Sequence, residues 1–148
     1  MQRILFVCTG NTCRSPMAEA ILKSKKINGF EVKSAGIYAA TGSEASAHAK
    51  KVLADHQIDH HHSSNLLAGE SVQWADLILT MTGAHKNAIL HQFSETAGKV
   101  FTLKEFTGEQ YDVDVVDPYG GSVAIYQETY QELDRLITKA IEKIQSSQ

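Results

Sequence analysis

Ile4-Leu5-Phe6-Val7 is a short apolar run, and directly behind it come Cys8-Thr9-Gly10-Asn11-Thr12-Cys13-Arg14-Ser15-Pro16. The run reads as a buried strand, and Pro16–Lys26 reads as a helix opened by its proline. A strand, a tight loop and a helix N-terminus therefore follow one another without a spacer. Backbone N–H groups converge in such a loop and the helix adds its positive end, so the loop is an anion socket. The same field favours a thiolate and makes Cys8 a candidate nucleophile. Arg14 can fork two charge-assisted hydrogen bonds onto a tetrahedral oxyanion, a geometry that lysine lacks. A nucleophile under an anion cradle is the arrangement that covalent phosphoryl transfer requires.

The rest of the chain supplies a scaffold for that unit. Strand patterns at Arg3–Val7, Glu31–Ser34, Asp76–Met81 and Val100–Leu103 alternate with helical patterns. The helices are expected at Pro16–Lys26, Glu44–His56, Ser71–Ala75, His85–Phe93 and Ser122–Ile144. That alternation predicts an α/β fold, a single-domain three-layer sandwich with a central four-stranded parallel sheet and helices on both faces. In the last helix Ile125, Leu133, Leu136, Ile137, Ala140, Ile141 and Ile144 mark a buried face, and Ser122 can cap its start. With 148 residues the chain is expected to form one domain over 1–148.

Composition narrows the class of partner. A hydrophobic content of 43% and a charged content of 21% are those of a globular protein. The net charge of −3 and the absence of a Lys/Arg cluster argue against nucleic acid as a partner. No apolar run reaches membrane-spanning length, and Met1-Gln2-Arg3 leads straight into a strand, so neither a membrane span nor a signal peptide is expected. Both cysteines, Cys8 and Cys13, lie in the loop. That is no disulfide framework, and a cytoplasmic, reducing location suits it. Cys13 admits two readings: a small buried apolar residue, or a resolving thiol that traps oxidised Cys8 as a disulfide.

A second segment bears on chemistry. Asp117-Pro118-Tyr119-Gly120-Gly121 is by itself a turn signal. Beside the Cys8 loop, the Asp117 carboxyl becomes a candidate general acid for a leaving group. Asp112 and Asp114 are nearby competitors and are expected to act on Asp117 by charge repulsion. Asn11 is expected to hold an unusual, left-handed backbone conformation. Ser15 can both start the helix and hydrogen-bond the Cys8 sulfur. Trp74 reads as packing. His56 and the run His60-His61-His62 invite a metal, but adjacent loop histidines share no ligand spacing, so no metal and no cofactor is expected.

Val7 through Pro16 resembles, at every defined position, the phosphate loop of the low-molecular-weight protein tyrosine phosphatases, Val-Cys-x-Gly-Asn-(Ile or Thr)-Cys-Arg-Ser-Pro. Asp117-Pro118-Tyr119 resembles the acid loop of that family. The resemblance implies Cys8, Arg14 and Asp117 as catalytic residues, with Thr9, Gly10, Asn11, Thr12, Cys13, Arg14 and Ser15 as the phosphate-binding loop. It also implies a serine and a histidine that prop Asn11, for which Ser34 and His61 are the matches. Tyrosine-directed members usually carry isoleucine where Thr12 stands, whereas members resembling bacterial protein-arginine phosphatases carry threonine. Many tyrosine-specific members also have aromatics where Ala40 and Gly120 stand, leaving Tyr119 and Tyr38 to wall the pocket. Thr12, Tyr119 and Ala40 are therefore the specificity candidates. The expected activity is removal of phosphate from phosphoarginine in proteins through a phosphocysteine, with a low-molecular-weight tyrosine phosphatase as the alternative. The resemblance further implies opposition to a protein-arginine kinase in a bacterial stress response.

Overall fold

Along the first strand, β1 (Gln2–Cys8), successive side chains enter two different cores. Ile4, Phe6 and Cys8 face one, Leu5 and Val7 the other, so the strand is apolar throughout because both its faces are buried. The computed structural model describes residues 2–147; Met1 and Gln148, the ends of the expected domain, lie outside the described residues. The remaining strands are β2 (Phe30–Gly36), β3 (Leu77–Thr80) and β4 (Val100–Thr102). All four run parallel in the order β2-β1-β3-β4, the expected architecture.

The helices are α1 (Arg14–Ser24), α2 (Ala47–Asp55), α3 (Gly69–Trp74), α4 (Gly83–Gln92), α5 (Leu103–Phe106) and α6 (Val123–Ser146). Helices α1, α2 and α6 cover the face of Phe6 through Met17, Val52, Leu133 and Ile137. Helices α3 and α4 cover the face of Val7 through Val72 and Ile89. The order of the strands reverses direction between β1 and β3, and in open parallel sheets ligands bind at the carboxyl ends beside such a switch point. Cys8 ends β1, and the loop after β3 lies next to it.

Several boundaries differ from the expectation for local reasons. Helix α1 starts at Arg14, so Pro16 is its third residue; the N–H it lacks is still among the first four, which have no partner inside the helix. Leu103, expected at the end of a strand, instead opens α5. The Thr102 hydroxyl accepts from the Glu105 N–H and the Glu105 carboxylate accepts from the Thr102 N–H, both at 3.0 Å, and this capping box ends β4. Ser122 does cap α6, accepting from the Ile125 N–H at 3.4 Å. Ile125 itself is exposed, and Tyr126, Thr129 and Tyr130 take the buried face in the first turns.

Between α5 and α6 the chain has no regular structure, yet it is pinned at several points. Lys104, buried, reaches Asp112 at 3.2 Å and Glu132 at 3.4 Å. Burial works against its charge, but the two carboxylates more than offset this and hold its pKa up. The Gly83 N–H donates to Asp114 Oδ1 at 2.8 Å, and the Val115 N–H donates to the Met81 carbonyl at 2.7 Å. These ties carry the segment across the end of β3 and deliver Asp117 to the mouth of the sheet.

Candidate active site

Asn11 shapes the loop. Its φ is +56°, a left-handed conformation that asparagine tolerates better than other side chains. Its buried amide nitrogen donates to Ser15 Oγ at 2.7 Å and to Ser34 Oγ at 2.9 Å, while Oδ1 accepts from the Asn65 N–H at 2.9 Å. Its own carbonyl accepts from His62 Nε2 at 2.7 Å. Ser34 passes the chain on, donating to Glu19 Oε1 at 2.5 Å. Among the described residues the N–H groups of Gly10, Asn11, Thr12 and Cys13 donate to no protein acceptor, so they are free for an anion. Cys8 Sγ lies 2.8 Å from Ser15 Oγ, as the sequence suggested.

Gly36 lets this loop approach β2. A Cβ there would stand 2.6 Å from the Thr9 carbonyl oxygen and 2.8 Å from the Asn11 nitrogen, both backbone atoms that cannot swing aside. Gly36→Ala is therefore expected to displace Thr9–Asn11 and lower kcat on an aryl phosphate by about 10²-fold, the scale of a 1 Å misplacement. Steady-state kinetics checks this, and unchanged kcat would contradict it.

Arg14 is fixed under the cleft. Its side chain is only 5% exposed; Nη1 donates to the Val115 carbonyl at 2.9 Å and Nη2 lies 3.7 Å from Asp117 Oδ2. Asp117 is held by the Tyr119 N–H on Oδ1 at 3.0 Å, and Gly120 supplies the positive φ, +80°, on which the turn closes. The resulting cleft of about 250 Å³ has Cys8, Thr9, Thr12 and Arg14 on one side and Asp117 and Tyr119 on the other. A nucleophile, a cation, free amides and a carboxyl thus converge on a volume that suits a tetrahedral anion and the end of one side chain.

Three expectations need correction. His61 does not prop Asn11: its side chain is 96% exposed, 3.6 Å from Asp59, whereas that of His62 is 3% exposed and makes the contact. The segment is extended, so neighbouring side chains point to opposite faces and a shift of one residue exchanges them. Asp112 and Asp114 are not poised against Asp117 but committed to Lys104 and the Gly83 N–H. Ala40 and Tyr38 are exposed on the loop after β2 and do not line the cleft, leaving Thr12 and Tyr119 there. Trp74 packs on the second core with the Lys33 ammonium 4.4 Å over its ring, away from the site.

Sequence reasoning missed His85 and Glu19. Glu19 sits one turn beyond the loop on α1, with no motif to flag it. His85 lies in the first turn of α4, where Thr82 caps its N–H at 3.1 Å and its Nε2 meets Thr9 Oγ1 at 2.8 Å. Burial, with the Arg14 charge adding to it, lowers its pKa from 6.5 to about 4. The folded protein thus binds fewer protons than the unfolded chain between those values, and stability falls as pH drops through that window. Thermal midpoints of the parent and of His85→Gln, taken from pH 7 to pH 4, are expected to converge on acidification. Parallel curves would contradict the assignment.

Comparison with known proteins finds likenesses over nearly the whole chain. Residues 3–148 match the family model described as low molecular weight phosphotyrosine protein phosphatase. A protein-arginine-phosphatase from Geobacillus stearothermophilus is 51% identical over 146 residues, covering 99% of this chain and 98% of the relative. A solved arginine phosphatase structure from the same organism superposes with a TM-score of 0.97 at 50% identity, covering 100% of this chain and 96% of the other. A cysteine-to-serine mutant of an arginine phosphatase, with its active-site serine phosphorylated, gives a TM-score of 0.92 at 42% identity, covering 97% of this chain and 96% of the other.

Proposed function

Since the chain belongs to the low molecular weight phosphotyrosine protein phosphatase family, we propose that it is a protein phosphatase whose substrate is phosphoarginine in proteins. The observation that carries this reading is Thr12 beside Cys8 in a small cleft with Tyr119 as its aromatic wall. A hydroxyl at that rim suits a polar guanidinium, where an apolar branch would suit a ring. The likeness to the Geobacillus protein-arginine-phosphatase over the whole chain supports it.

The geometry supports a two-step mechanism. The Cys8 sulfur attacks phosphorus in line, the phosphorus–nitrogen bond breaks, and Asp117 protonates the departing guanidine nitrogen. Water then attacks the phosphocysteine, Asp117 takes its proton, and the phosphorus–sulfur bond breaks with Ser15 hydrogen-bonded to the leaving sulfur. In both steps the free loop amides and Arg14 bear the equatorial oxygens. The whole 1–148 chain acts as one phosphatase domain in the cytoplasm, opposite a protein-arginine kinase in a stress response.

Initial rates on a phosphoarginine peptide and a matched phosphotyrosine peptide test the reading, with Cys8→Ser as blank because the phosphorus–nitrogen bond is labile. The expected result is a phosphoarginine preference that Thr12→Ile shifts toward phosphotyrosine. A phosphotyrosine preference in the parent would return the chain to the tyrosine-phosphatase reading. Arg14→Ala and Cys8→Ser are expected to abolish turnover.

Cys13 serves as a resolving thiol. It borders the same cleft as Cys8, and its sulfur is 3.3 Å from the Tyr126 hydroxyl. Peroxide oxidises Cys8 to a sulfenic acid, and the Cys13 thiol condenses with it to a disulfide, releasing water. Peroxide inactivation is expected to be reversed by dithiothreitol in the parent but not in Cys13→Ala. Equal recovery in both would remove this role.

A further inference from the structure

Behind the phosphate loop, Glu19 on α1 meets His60 and His62 from the extended segment before Leu66. One ligand-type atom from each of the three lies within 4.8 Å of the others. We propose that Glu19, His60 and His62 bind a divalent transition metal ion of the zinc class.

The extended backbone explains the spacing. Residues 60 and 62 share one face, and their rings stack with centroids 5.9 Å apart, while His61 points to solvent. The second-neighbour pair therefore has the ligand geometry that adjacent histidines lack. His62 donates through Nε2 to the Asn11 carbonyl at 2.7 Å, which leaves Nδ1 with its lone pair toward Glu19 Oε1, 3.7 Å away. A ligating histidine characteristically holds its other ring nitrogen on a carbonyl or carboxylate in this way. Glu19 is anchored likewise, by the Ser34 hydroxyl on Oε1. His60 Nε2 is buried and has no hydrogen-bond partner, a cost that an ion would relieve.

Two nitrogens and one carboxylate oxygen select zinc, nickel, copper or cobalt over calcium or magnesium, and three protein ligands leave a fourth position for water. Ligand atoms of a tetrahedral zinc stand roughly 3.4 Å apart, so the group must draw in, and His60, only partly buried, is free to move. Lys23 now holds Glu19 Oε2 at 2.9 Å; its half-exposed side chain turns to solvent when the ion takes over as the cation. An open cleft of about 430 Å³, bordered by Lys23, Asp59 and His60, gives access. The bound ion fixes His62 in the tautomer that holds Asn11, so it stiffens the loop from behind and leaves the Cys8 face untouched.

The test uses tag-free Cys8→Ser protein, which removes the nucleophilic thiol as a competing ligand. Calorimetric titration with zinc is expected to give one ion per chain and a raised thermal midpoint. Cobalt(II) is expected to give the visible absorption of a tetrahedral nitrogen–oxygen site. His60→Ala, with the parent's midpoint in chelator, is expected to bind at least about tenfold more weakly, and His61→Ala to bind like the parent. Equal affinity in His60→Ala and the parent would overturn the site. Stoichiometric binding by the wild type but not by Cys8→Ser would overturn it too, placing the ion on the thiol.

Discussion

One buried asparagine holds the mouth of this sheet in shape. Asn11 turns the chain through a left-handed residue and then anchors that turn from every side, to Ser15, Ser34, Asn65 and His62. Leaving any one of these partners unpaired in the interior costs about 1–3 kcal/mol. The loop therefore has one low-energy form, in which four successive N–H groups, those of residues 10 to 13, have no acceptor within the described residues. Anion binding then requires no reorganisation, which is what makes such donors effective when charge develops in a transition state.

The parallel sheet brings the rest to that loop. Because β1 is buried on both faces and β2 and β3 flank it, the end of β1 presents Cys8 from the packed centre of the sheet. The segment after α5 is irregular but tied to Lys104, Gly83 and Met81, so Asp117 arrives at a defined height over Arg14. Arg14 joins the two parts. It bonds the Val115 carbonyl of the acid segment while belonging to the loop helix, so loop and acid are positioned against each other by one buried side chain.

The sequence made the central chemistry legible because it is local. Cys8, Asn11, Arg14 and Ser15 lie within a single strand-loop-helix unit, and the βα alternation gave the sheet its class. Asp117 needed the Cys8 loop and the resemblance beside it, since Asp-Pro alone reads as a turn. What was not legible depended on pairing across the fold. His61 and His62 differ only in which side of an extended segment they occupy, and nothing in three successive histidines tells which. His85 reaches the loop from a helix whose approach is set by packing, and Glu19 is joined to Asn11 only through Ser34 of β2. The end of β4 at Thr102 was hidden because Val100-Phe101-Thr102-Leu103 is apolar enough to continue, until the Glu105 side chain closes a capping box on it.

The central claim is that Asn11 holds the loop in its anion-binding form. Titration of inorganic phosphate into Cys8→Ser protein, with and without Asn11→Ala, tests it most directly, with circular dichroism showing that both proteins are folded. The account expects Asn11→Ala to weaken phosphate binding by at least about tenfold, the equivalent of 1.4 kcal/mol. Equal affinities in the two folded proteins would mean that the cradle stands without its asparagine, and would contradict it.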